Sequence, residues 1–444
     1  MIPSDDAGLQ LIRRNHGHAY ETRSHEKFGW AGQSRQSWAC SAWYVGRVRG
    51  LAQDPAETFA VTSRTDFSKR TSFPGTHGGP IDVVLRTADA VERIPSVLFA
   101  LLLWGVSLLA FPGSWLGALS LWGFFLSDWA LLRALPLAGK SFGPAKPPTL
   151  LLALLRLPFA FLPAPWLWIL QGLGTLLVIH GFWIEPHTLR ITRQILSSAK
   201  LPSGSRLRVL HLADLHLERI TKRERQLNRL IRELKPDVIL FTGDFLSLST
   251  VYDPKSWEDT RTLLKDWQAP LGVFVTAGSP AVDPPEVLAR LLEGMPHIRC
   301  LHGDRVSLTR DGLELDILGM DCSHKPHRDG PRLADLVAAG PPTRFTLLSY
   351  HTPDLAPEAA ELGVDLMLSG HTHGGQVRLP LLGALYTSSL YGKRFEAGRY
   401  TLGNTTLYVS RGIGIEGKGA PRVRFLCPPE IVLWEIGGVP FPSG

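Results

Sequence analysis

Six aspartate and histidine side chains of this chain are of the types that hold metal ions. Two imidazoles lie one residue apart in Gly370-His371-Thr372-His373, while Asp214-Leu215-His216, Gly243-Asp244 and His351 come earlier. Mixed carboxylate and imidazole ligands suit manganese, iron or zinc rather than calcium. Six ligands exceed the needs of one tetrahedral zinc ion, but they suit two ions about 3.5–4 Å apart that share one carboxylate.

A pair of ions of this kind has a well-defined chemistry. It lowers the pKa of a bridging water and clamps phosphoryl oxygens during in-line attack. Gly243, Gly370 and Gly374-Gly375 would let the backbone come close to metal or phosphate. An isolated Asp-x-His or Gly-Asp is common on surfaces and in turns. Only the whole ordered set therefore indicates a phosphoryl-transfer site.

Each candidate ligand follows a short apolar run with the character of a buried strand. The runs are Leu207–Leu212, Val238–Phe241, Phe345–Ser349 and Leu366–Ser369. Between the first two, Lys222–Leu234 has helical spacing. In open α/β sheets, ligands bind beyond the carboxyl ends of the strands. The alternation predicts an α/β layered domain over residues 206–437, with a second sheet packed on the first.

These motifs resemble the signature of the calcineurin-like metallophosphoesterases. More narrowly, Leu368–Gln376 resembles the membrane-anchored bacterial branch that includes UDP-2,3-diacylglucosamine hydrolase-like proteins, and so do Ile184-Glu185-Pro186, Val409–Gly414 and Pro428–Ile431. The resemblance covers roughly residues 184–436. It implies a four-layer α-β-β-α sandwich and a hydrolase that acts on ester or phosphoanhydride bonds.

The resemblance also implies a role for each ligand. The six implied metal ligands are Asp214, His216, Asp244, His351, His371 and His373. In the family's pattern, the first two and the last hold one ion, Asp244 bridges, and His351 and His371 hold the second. We assign Asp244 and His371 to catalysis as well. The implied cofactors are two divalent ions of manganese, iron or zinc.

One element of the family's pattern is missing. Gly278-Ser279-Pro280-Ala281 stands where the family has Gly-Asn-His-Asp/Glu, whose Asn binds the second ion and whose His aids the leaving group. Loss of a general acid typically costs about 10²–10⁴-fold in rate. A good leaving group, such as that of a pyrophosphate, needs this acid least. Asp283 or His297 could replace it, whereas His302, His324 and His327 are expected to be exposed loop residues.

A block of apolar residues precedes this domain. Seven of the 13 tryptophans lie between Trp104 and Trp183, which is typical of a membrane interface. We divide residues 94–183 into about four transmembrane segments, Ile94–Phe111, Leu116–Leu132, Leu150–Phe161 and Trp166–Trp183. The third is short and carries Arg156, so it either spans or is re-entrant. Asp128 and His180 are candidate functional polar groups, or they face another helix or a helix end.

Loop charges predict the orientation of these segments. Basic residues occur in the central loop and after the last segment, whereas the other two turns carry no charge. The positive-inside rule then places the domain that follows in the cytoplasm. Together with the resemblance, this implies a catalytic domain anchored in several passes to a bacterial inner membrane. Residues 184–205 form the connector. Residues 1–82 are interpreted as disordered or as preceding the true start of translation.

The predicted function is a membrane-associated, metal-dependent phosphohydrolase that uses a metal-activated water. Its substrate would be phosphorylated and lipid-linked, plausibly a nucleotide such as UDP-2,3-diacylglucosamine. The net charge of +7 suits anionic partners, but no interleaving of basic and aromatic residues predicts nucleic-acid binding. The alternative is a catalytically impaired homologue that binds metal or phospholipid. The four scattered cysteines fit free thiols in a reducing compartment.

Overall fold

A computed structural model of the protein describes residues 80–415, 417 and 420–439. The interpretation of residues 1–79 as disordered therefore lies outside the described part. The first described helix begins at Pro80, two residues before residue 82, the predicted end of that extension.

The apolar block folds into helices joined by short turns. They are α1 (Pro80–Arg93), α2 (Ser96–Ala110), α3 (Trp115–Leu137), α4 (Lys146–Ala160) and α5 (Trp166–Val178), the last continued by a π-helical turn at Ile179–Ile184 and a 3-10 turn at Glu185–His187. A span needs about 20 apolar residues. Among the described residues, Trp115–Leu137 and Trp166–His187 meet that length and composition, and α1 with α2 would add a third span bent by 105°.

Helix α4 is 15 residues long and falls short of a straight span. Helices α2 to α5 correspond in position to the four expected segments, but among the described residues two or three candidate spans are found. Phe99, Leu103, Leu121 and Phe125 pack at the centre of α2 to α4. Many other apolar side chains of these helices face outward, as expected for lipid-exposed helices.

An α/β domain follows, in which strands alternate with helices. Its elements are β1 (Arg190–Ser197), β2 (Arg206–Leu212), α6 (Lys222–Leu234), β3 (Val238–Phe241), α7 (Pro254–Leu264), β4 (Val273–Val275), α8 (Pro285–Leu292), β5 (Ile298–Cys300), β6 (Asp304–Arg310), β7 (Leu313–Gly319), α9 (Pro326–Ala338), β8 (Phe345–Ser349), α10 (Ala356–Glu361), β9 (Leu366–Ser369), β10 (Arg378–Leu379), β11 (Gly383–Ala384), β12 (Gly398–Leu402), β13 (Thr405–Val409) and β14 (Glu430–Gly437).

Helix α6 shows how local chemistry sets these elements. Thr221 and Glu224 form a reciprocal capping box at its start, which satisfies backbone N–H groups that a first turn leaves open. Leu227, Ile231 and Leu234 face the core. The helix then ends in a left-handed C-cap residue. Its bounds are those that the apolar spacing predicts.

Two six-stranded sheets carry the site. Their strand orders are β1-β14-β2-β3-β4-β5 and β12-β13-β9-β8-β7-β6. Within the first, β2 to β5 are parallel, and within the second β7, β8, β9 and β13 are parallel. Val209, Leu240, Leu347, Leu368 and Trp434 pack between the sheets. Helices α6 to α8 cover the outer face of one sheet and α9 and α10 that of the other, which confirms the predicted four-layer sandwich.

Candidate metal centre

All six predicted ligands converge at one edge of the two sheets. Asp214 and Asp244 follow the carboxyl ends of β2 and β3, while His351 and His371 follow those of β8 and β9. Because parallel strands end at the same edge, residues far apart in sequence meet there. The six side chains are at most 6% exposed.

The side chains form two groups of three. Potential ligand atoms of Asp214, His216 and His373 lie within 4.8 Å of one another, and so do those of Asp244, His351 and His371. This division is the one that the family resemblance implies for the two ions, with Asp244 assigned to the second group.

Asp244 lies between the groups. Its Oδ2 is 3.5 Å from Nε2 of His216 and 3.4 Å from Nε2 of His351. Across the first group, the Nε2 atoms of His216 and His373 approach to 2.9 Å. One carboxylate oxygen thus faces an imidazole of each group, which is the arrangement that a bridging ligand requires.

Five of the six residues adopt left-handed backbone conformations. Their φ angles are +51° at Asp214, +42° at His216, +63° at Asp244, +70° at His371 and +51° at His373. Such a conformation costs a non-glycine residue about 1–3 kcal/mol and persists only where the surrounding fold imposes it. Strain repeated at these positions is typical of a functional site.

Two glycines permit the close approach of neighbouring loops. A Cβ atom at Gly370 would lie 2.2 Å from Oδ2 of Asp214, and one at Gly278 would lie 2.1 Å from Oδ1 of Asp244. Any side chain at either position would displace a ligand carboxylate.

Backbone groups orient the ligands. The amide of His371 donates to Oδ1 of Asp214 at 2.9 Å, and the amide of Ser279 donates to Oδ1 of Asp244 at 2.7 Å. Nδ1 of His351 lies 2.9 Å from the carbonyl of Thr242. Donation from Nδ1 to that carbonyl leaves Nε2 of His351 free to bind an ion, the usual way in which neighbouring groups select the tautomer of a metal-binding histidine.

The electrostatics keep Asp244, His371 and His373 in metal-binding forms. Burial acts to raise the pKa of Asp244, but His351, His216 and His371 lower it well below its usual range, so this carboxylate is ionised. Burial holds the pKa values of His371 and His373 well below their usual range, so these imidazoles are neutral. Ionised carboxylate and neutral imidazole are the forms that bind metal. Burial acts to lower the pKa of His351, but the carboxylates of Asp244 and Asp214 raise it to about 9, so a metal ion must displace a proton from this ring.

The donor set fits a pair of divalent ions. Oδ2 of Asp214 is buried, yet it accepts no hydrogen bond from any residue that the structure describes. A buried carboxylate oxygen without a donor is costly unless a cation pairs with it. Asp214, His216 and His373 could hold one ion, Asp244 could bridge, and His351 and His371 could hold the other.

Comparisons with known proteins agree with this geometry. The model of the calcineurin-like phosphoesterase family matches residues 207–375. The uncharacterized metallophosphoesterase YkuE of Bacillus subtilis (strain 168) is 30% identical over 263 residues, which cover 57% of this chain and 87% of the relative. The chain belongs to the calcineurin-like phosphoesterases. It is therefore a hydrolase of phosphoester bonds.

Other relatives of this metallophosphoesterase have more specific names. The UDP-2,3-diacylglucosamine pyrophosphatase LpxG of Chlamydia trachomatis serovar D is 26% identical over 310 residues, which cover 56% of this chain and 90% of the relative. The phosphodiesterase YaeI of Escherichia coli (strain K12) is 25% identical over 263 residues, which cover 57% and 90%. The similarity to LpxG supports the predicted membrane-linked branch.

Ser279 and Pro280 occupy the place of the missing motif in this metallophosphoesterase. Ser279 is buried, and its Oγ lies 3.1 Å from Nε2 of His351. The position therefore retains a polar atom beside the second group of ligands, although a hydroxyl is a weaker ligand than an amide oxygen. Pro280 brings neither an imidazole nor an amide proton.

The two predicted substitutes for the missing acid differ in position. Asp283 lies behind the site, where its carboxylate accepts the amides of Asp244, Phe245 and Gly278 at 2.7–3.0 Å. Burial, with Asp244 nearby, raises its pKa to about 7. These contacts make Asp283 a positioning residue for the Asp244 loop. His297 contacts the carbonyl of Leu264 at 3.5 Å, so the structure does not bring it to the site.

His324 is not the exposed loop residue that we expected. Its ring centroid lies 4.9 Å from that of His371 and 6.2 Å from that of His351. It follows β7, the neighbour of β8, so it reaches the same edge as the ligands. That shared position after a strand is the signal that could have identified it. His302 and His327 are exposed, as expected, and His302 pairs with Asp321.

The two polar groups predicted within the spans both have partners. Asp128 forms an ion pair with Arg156 at 2.7 Å. His180 pairs with Glu185 at 2.7 Å, at the end of the last candidate span. The structure thus favours the interpretation in which Asp128 faces another helix and His180 lies near a helix end.

Proposed function

We propose that this protein is a membrane-associated phosphohydrolase that cleaves a pyrophosphate or phosphoester bond of a lipid-linked nucleotide, such as UDP-2,3-diacylglucosamine, at the cytoplasmic face of a bacterial inner membrane. The observation that carries the proposal is a short series of contacts between the metal centre and the end of an apolar helix. The resemblance to LpxG supports the substrate class.

The contacts run from the last candidate span to a metal ligand. Glu185, in the last turn of that span, accepts the amides of Leu426 and Cys427. The thiol of Cys427 lies 3.2 Å from the carbonyl of His373. A phosphate that enters from the surface of the bilayer would therefore have little distance to travel to the ligands.

Further contacts hold the two regions together. The amide of Arg424 donates to the carbonyl of Gly181 at 3.0 Å, and its guanidinium approaches Nδ1 of His373 at 3.3 Å. The amide of Phe142, between α3 and α4, lies 3.3 Å from a carboxylate oxygen of Glu218. A catalytic domain fixed in this way to its helices suits a substrate that never leaves the membrane.

The division of labour among the residues follows from their positions. Two bound ions would neutralise phosphoryl oxygens and lower the pKa of a water. Asp244 lies between the two groups and faces a histidine of each, while Asp283 holds the backbone of the Asp244 loop. Burial, with His351 close by, lowers the pKa of His324 to about 3. The neutral ring still offers one N–H that can donate to a leaving-group oxygen.

The Ser279-Pro280 sequence favours a substrate with a good leaving group. A pyrophosphate releases a phosphomonoester of low pKa, which departs without a strong acid, whereas an alkyl ester needs a proton. The same sequence is the observation that favours the second candidate function, a catalytically impaired homologue that binds metal or phospholipid.

One experiment separates these functions. The full chain would be purified in detergent, and bound metal would be measured together with hydrolysis of bis-p-nitrophenyl phosphate and of UDP-2,3-diacylglucosamine. We expect about two ions per chain and turnover of both compounds. Bound metal without turnover of either compound would support the impaired homologue, and absence of metal would contradict both.

Replacing His324 tests the leaving-group contact. We expect His324→Ala to slow hydrolysis of an alkyl phosphodiester by about 10²-fold and that of the pyrophosphate less, because only the alkoxide leaving group needs a proton donor. The matched control is His302→Ala, a change at an exposed histidine of the same edge. Equal losses on both compounds would assign His324 to metal binding or folding instead.

A further inference from the structure

An apolar loop projects from the domain next to the metal centre. The loop joins β10 to β11 and continues to Tyr386. Leu381 is fully exposed, and Leu382, Leu385 and Tyr386 are 62%, 60% and 53% exposed. We call residues 379–386 the apolar tip. Scattered surface leucines are ordinary, but several on one short loop mark an interaction site.

The conformation of the tip keeps these side chains outward. Leu381 has a left-handed backbone with φ +67°, which a leucine rarely adopts. Strands β10 and β11 pair antiparallel through Arg378 with Ala384 and Leu379 with Gly383. This pairing leaves Pro380, Leu381 and Leu382 as the turn between them. The fold therefore maintains an apolar projection at a cost in backbone strain.

The base of the tip rests on the metal-ligand turn. A Cβ atom at Gly375 would lie 2.5 Å from that of Ala384, so the two segments are in close contact. On the far side of the tip, Ser388 Oγ donates to the carbonyl of His371 at 2.9 Å. Whatever the tip touches is therefore held close to the ligands.

The tip is also connected to the end of the last candidate span. Val377 forms a β-bridge with Phe425, and the amide of Arg378 donates to the carbonyl of Phe425 at 2.9 Å. The ring of Phe425 packs edge-on against His180 with centroids 5.9 Å apart. Near this junction, Leu426 and Ile184 are also 47% and 52% exposed. Exposed apolar surface thus occurs both on the tip and at the helix end to which it is attached.

A cation accompanies the apolar side chains. The ammonium group of Lys393, whose side chain is 51% exposed, donates to the carbonyl of Leu382 and lies 3.6 Å from a carboxylate oxygen of Glu396. Leucine and tyrosine beside lysine are typical of surfaces that lie in the interfacial layer of anionic bilayers.

We propose that the apolar tip inserts into the interfacial layer of the bilayer that surrounds the candidate spans. Leu381 and Leu382 enter the boundary of the acyl chains, and Lys393 meets anionic headgroups. The tip thereby holds the mouth of the metal centre against the lipid surface from which a lipid-linked phosphate arrives. This inference rests on the membrane location in the proposed function, but it does not depend on catalysis.

Fluorescence quenching in lipid nanodiscs tests the insertion directly. The full chain would carry Cys40→Ser and Cys300→Ser, since Cys322 and Cys427 are buried, and a polarity-sensitive dye would be attached at Leu381→Cys. The matched control is Asp311→Cys, whose side chain is 90% exposed in the turn between β6 and β7. That turn lies at the opposite end of β7 from the metal-binding edge.

We expect the dye at position 381 to show blue-shifted emission and quenching by nitroxide-labelled phospholipids, and the dye at position 311 to show neither. Leu385→Cys provides a second labelled site should the first variant fold poorly. An aqueous, unquenched dye at both tip positions would overturn the proposal. Blue-shifted emission without lipid quenching would also overturn it, because it would place the tip against protein, such as a second copy of the chain.

The readout distinguishes this proposal from the proposed function. Lipid quenching at the tip in a chain without hydrolytic activity would retain the insertion and reject the enzyme. Turnover of the lipid-linked compound by a chain whose tip stays in water would support the proposed enzyme and reject the insertion of the tip.

Discussion

Two buried clusters of charged side chains, one among the helices and one at the edge of the two sheets, differ in how their polar atoms are satisfied. In the helical region, Nε and Nη2 of Arg156 donate to the two carboxylate oxygens of Asp128, at 2.7 and 2.8 Å. The remaining N–H groups of Arg156 donate to Gln171 and Thr175. The side-chain amide of Gln171 donates in turn to the backbone carbonyl of Arg156. This cluster is complete without a ligand.

The metal centre is incomplete by the same standard. Asp214 Oδ2 finds no hydrogen-bond donor among the described residues, and the Nε2 atoms of His216 and His373 face each other at 2.9 Å. Its residues are also strained, whereas Asp128 and Arg156 lie in ordinary helices. A buried cluster that satisfies itself fixes the packing of helices, while one that leaves a buried carboxylate oxygen without a donor indicates a cation.

Replacing the central carboxylate should have the largest effect. Asp244→Asn keeps the shape but removes the charge that faces both groups, and we expect a loss of bound metal and a fall in hydrolysis of about 10³-fold or more. Asp311→Asn makes the same chemical change at an exposed left-handed position and should leave metal content and rate unchanged. Full metal content in Asp244→Asn would remove Asp244 from the ligand set.

Breaking the helical cluster should affect stability and not metal. Arg156→Met leaves Asp128 buried without a partner, and we expect a loss of about 3 kcal/mol in the free energy of unfolding. Removing both charges in Asp128→Leu with Arg156→Met should cost less, because no charge remains unpaired. Unfolding followed in detergent would measure the difference. Lost hydrolysis with unchanged stability would show that the helical cluster is functional, contrary to the comparison.

Chelation of divalent metal should affect the metal centre but not the helical cluster. Removing divalent metal with EDTA should destabilise the catalytic domain by about 3 kcal/mol, the linkage expected when metal is present at 100 to 1,000 times its dissociation constant. Manganese or zinc should restore the lost stability. The Asp244→Asn variant should respond much less, and Arg156→Met should respond like the unaltered chain. An EDTA-insensitive melting curve would indicate that the centre holds no structural ion.

Restoring the missing motif should have the smallest effect. The double change Ser279→Asn with Pro280→His supplies an amide and an imidazole beside the second group, and we expect hydrolysis of an alkyl phosphodiester to rise by about tenfold. The pyrophosphate should gain less, because its leaving group needs no strong acid. Ser279→Asn alone would show how much of the gain comes from metal affinity. A fall in rate would indicate that this site has adapted to Pro280.

Local sequence patterns were enough to predict the ligands. Each of the four strands before a ligand follows from its apolar run, and β3, β8 and β9 begin and end where those runs predict. The division of the six ligands into two groups came from the family resemblance and agrees with the observed distances. His324 was not predicted because a loop of several residues separates it from β7, so its place after a strand was a weaker signal than that of the ligands.

The sequence by itself determined the ligand types, their places after strands, the apolar helices and the loss of the Asn-His pair, because each depends on neighbouring residues. Tertiary structure alone decided that Asp128 meets Arg156, that Asp283 binds the Asp244 loop, that His324 reaches His371, and that the apolar tip adjoins the end of a span. These contacts join residues far apart in the chain. They arise from how helices and sheets pack, which no local spacing encodes.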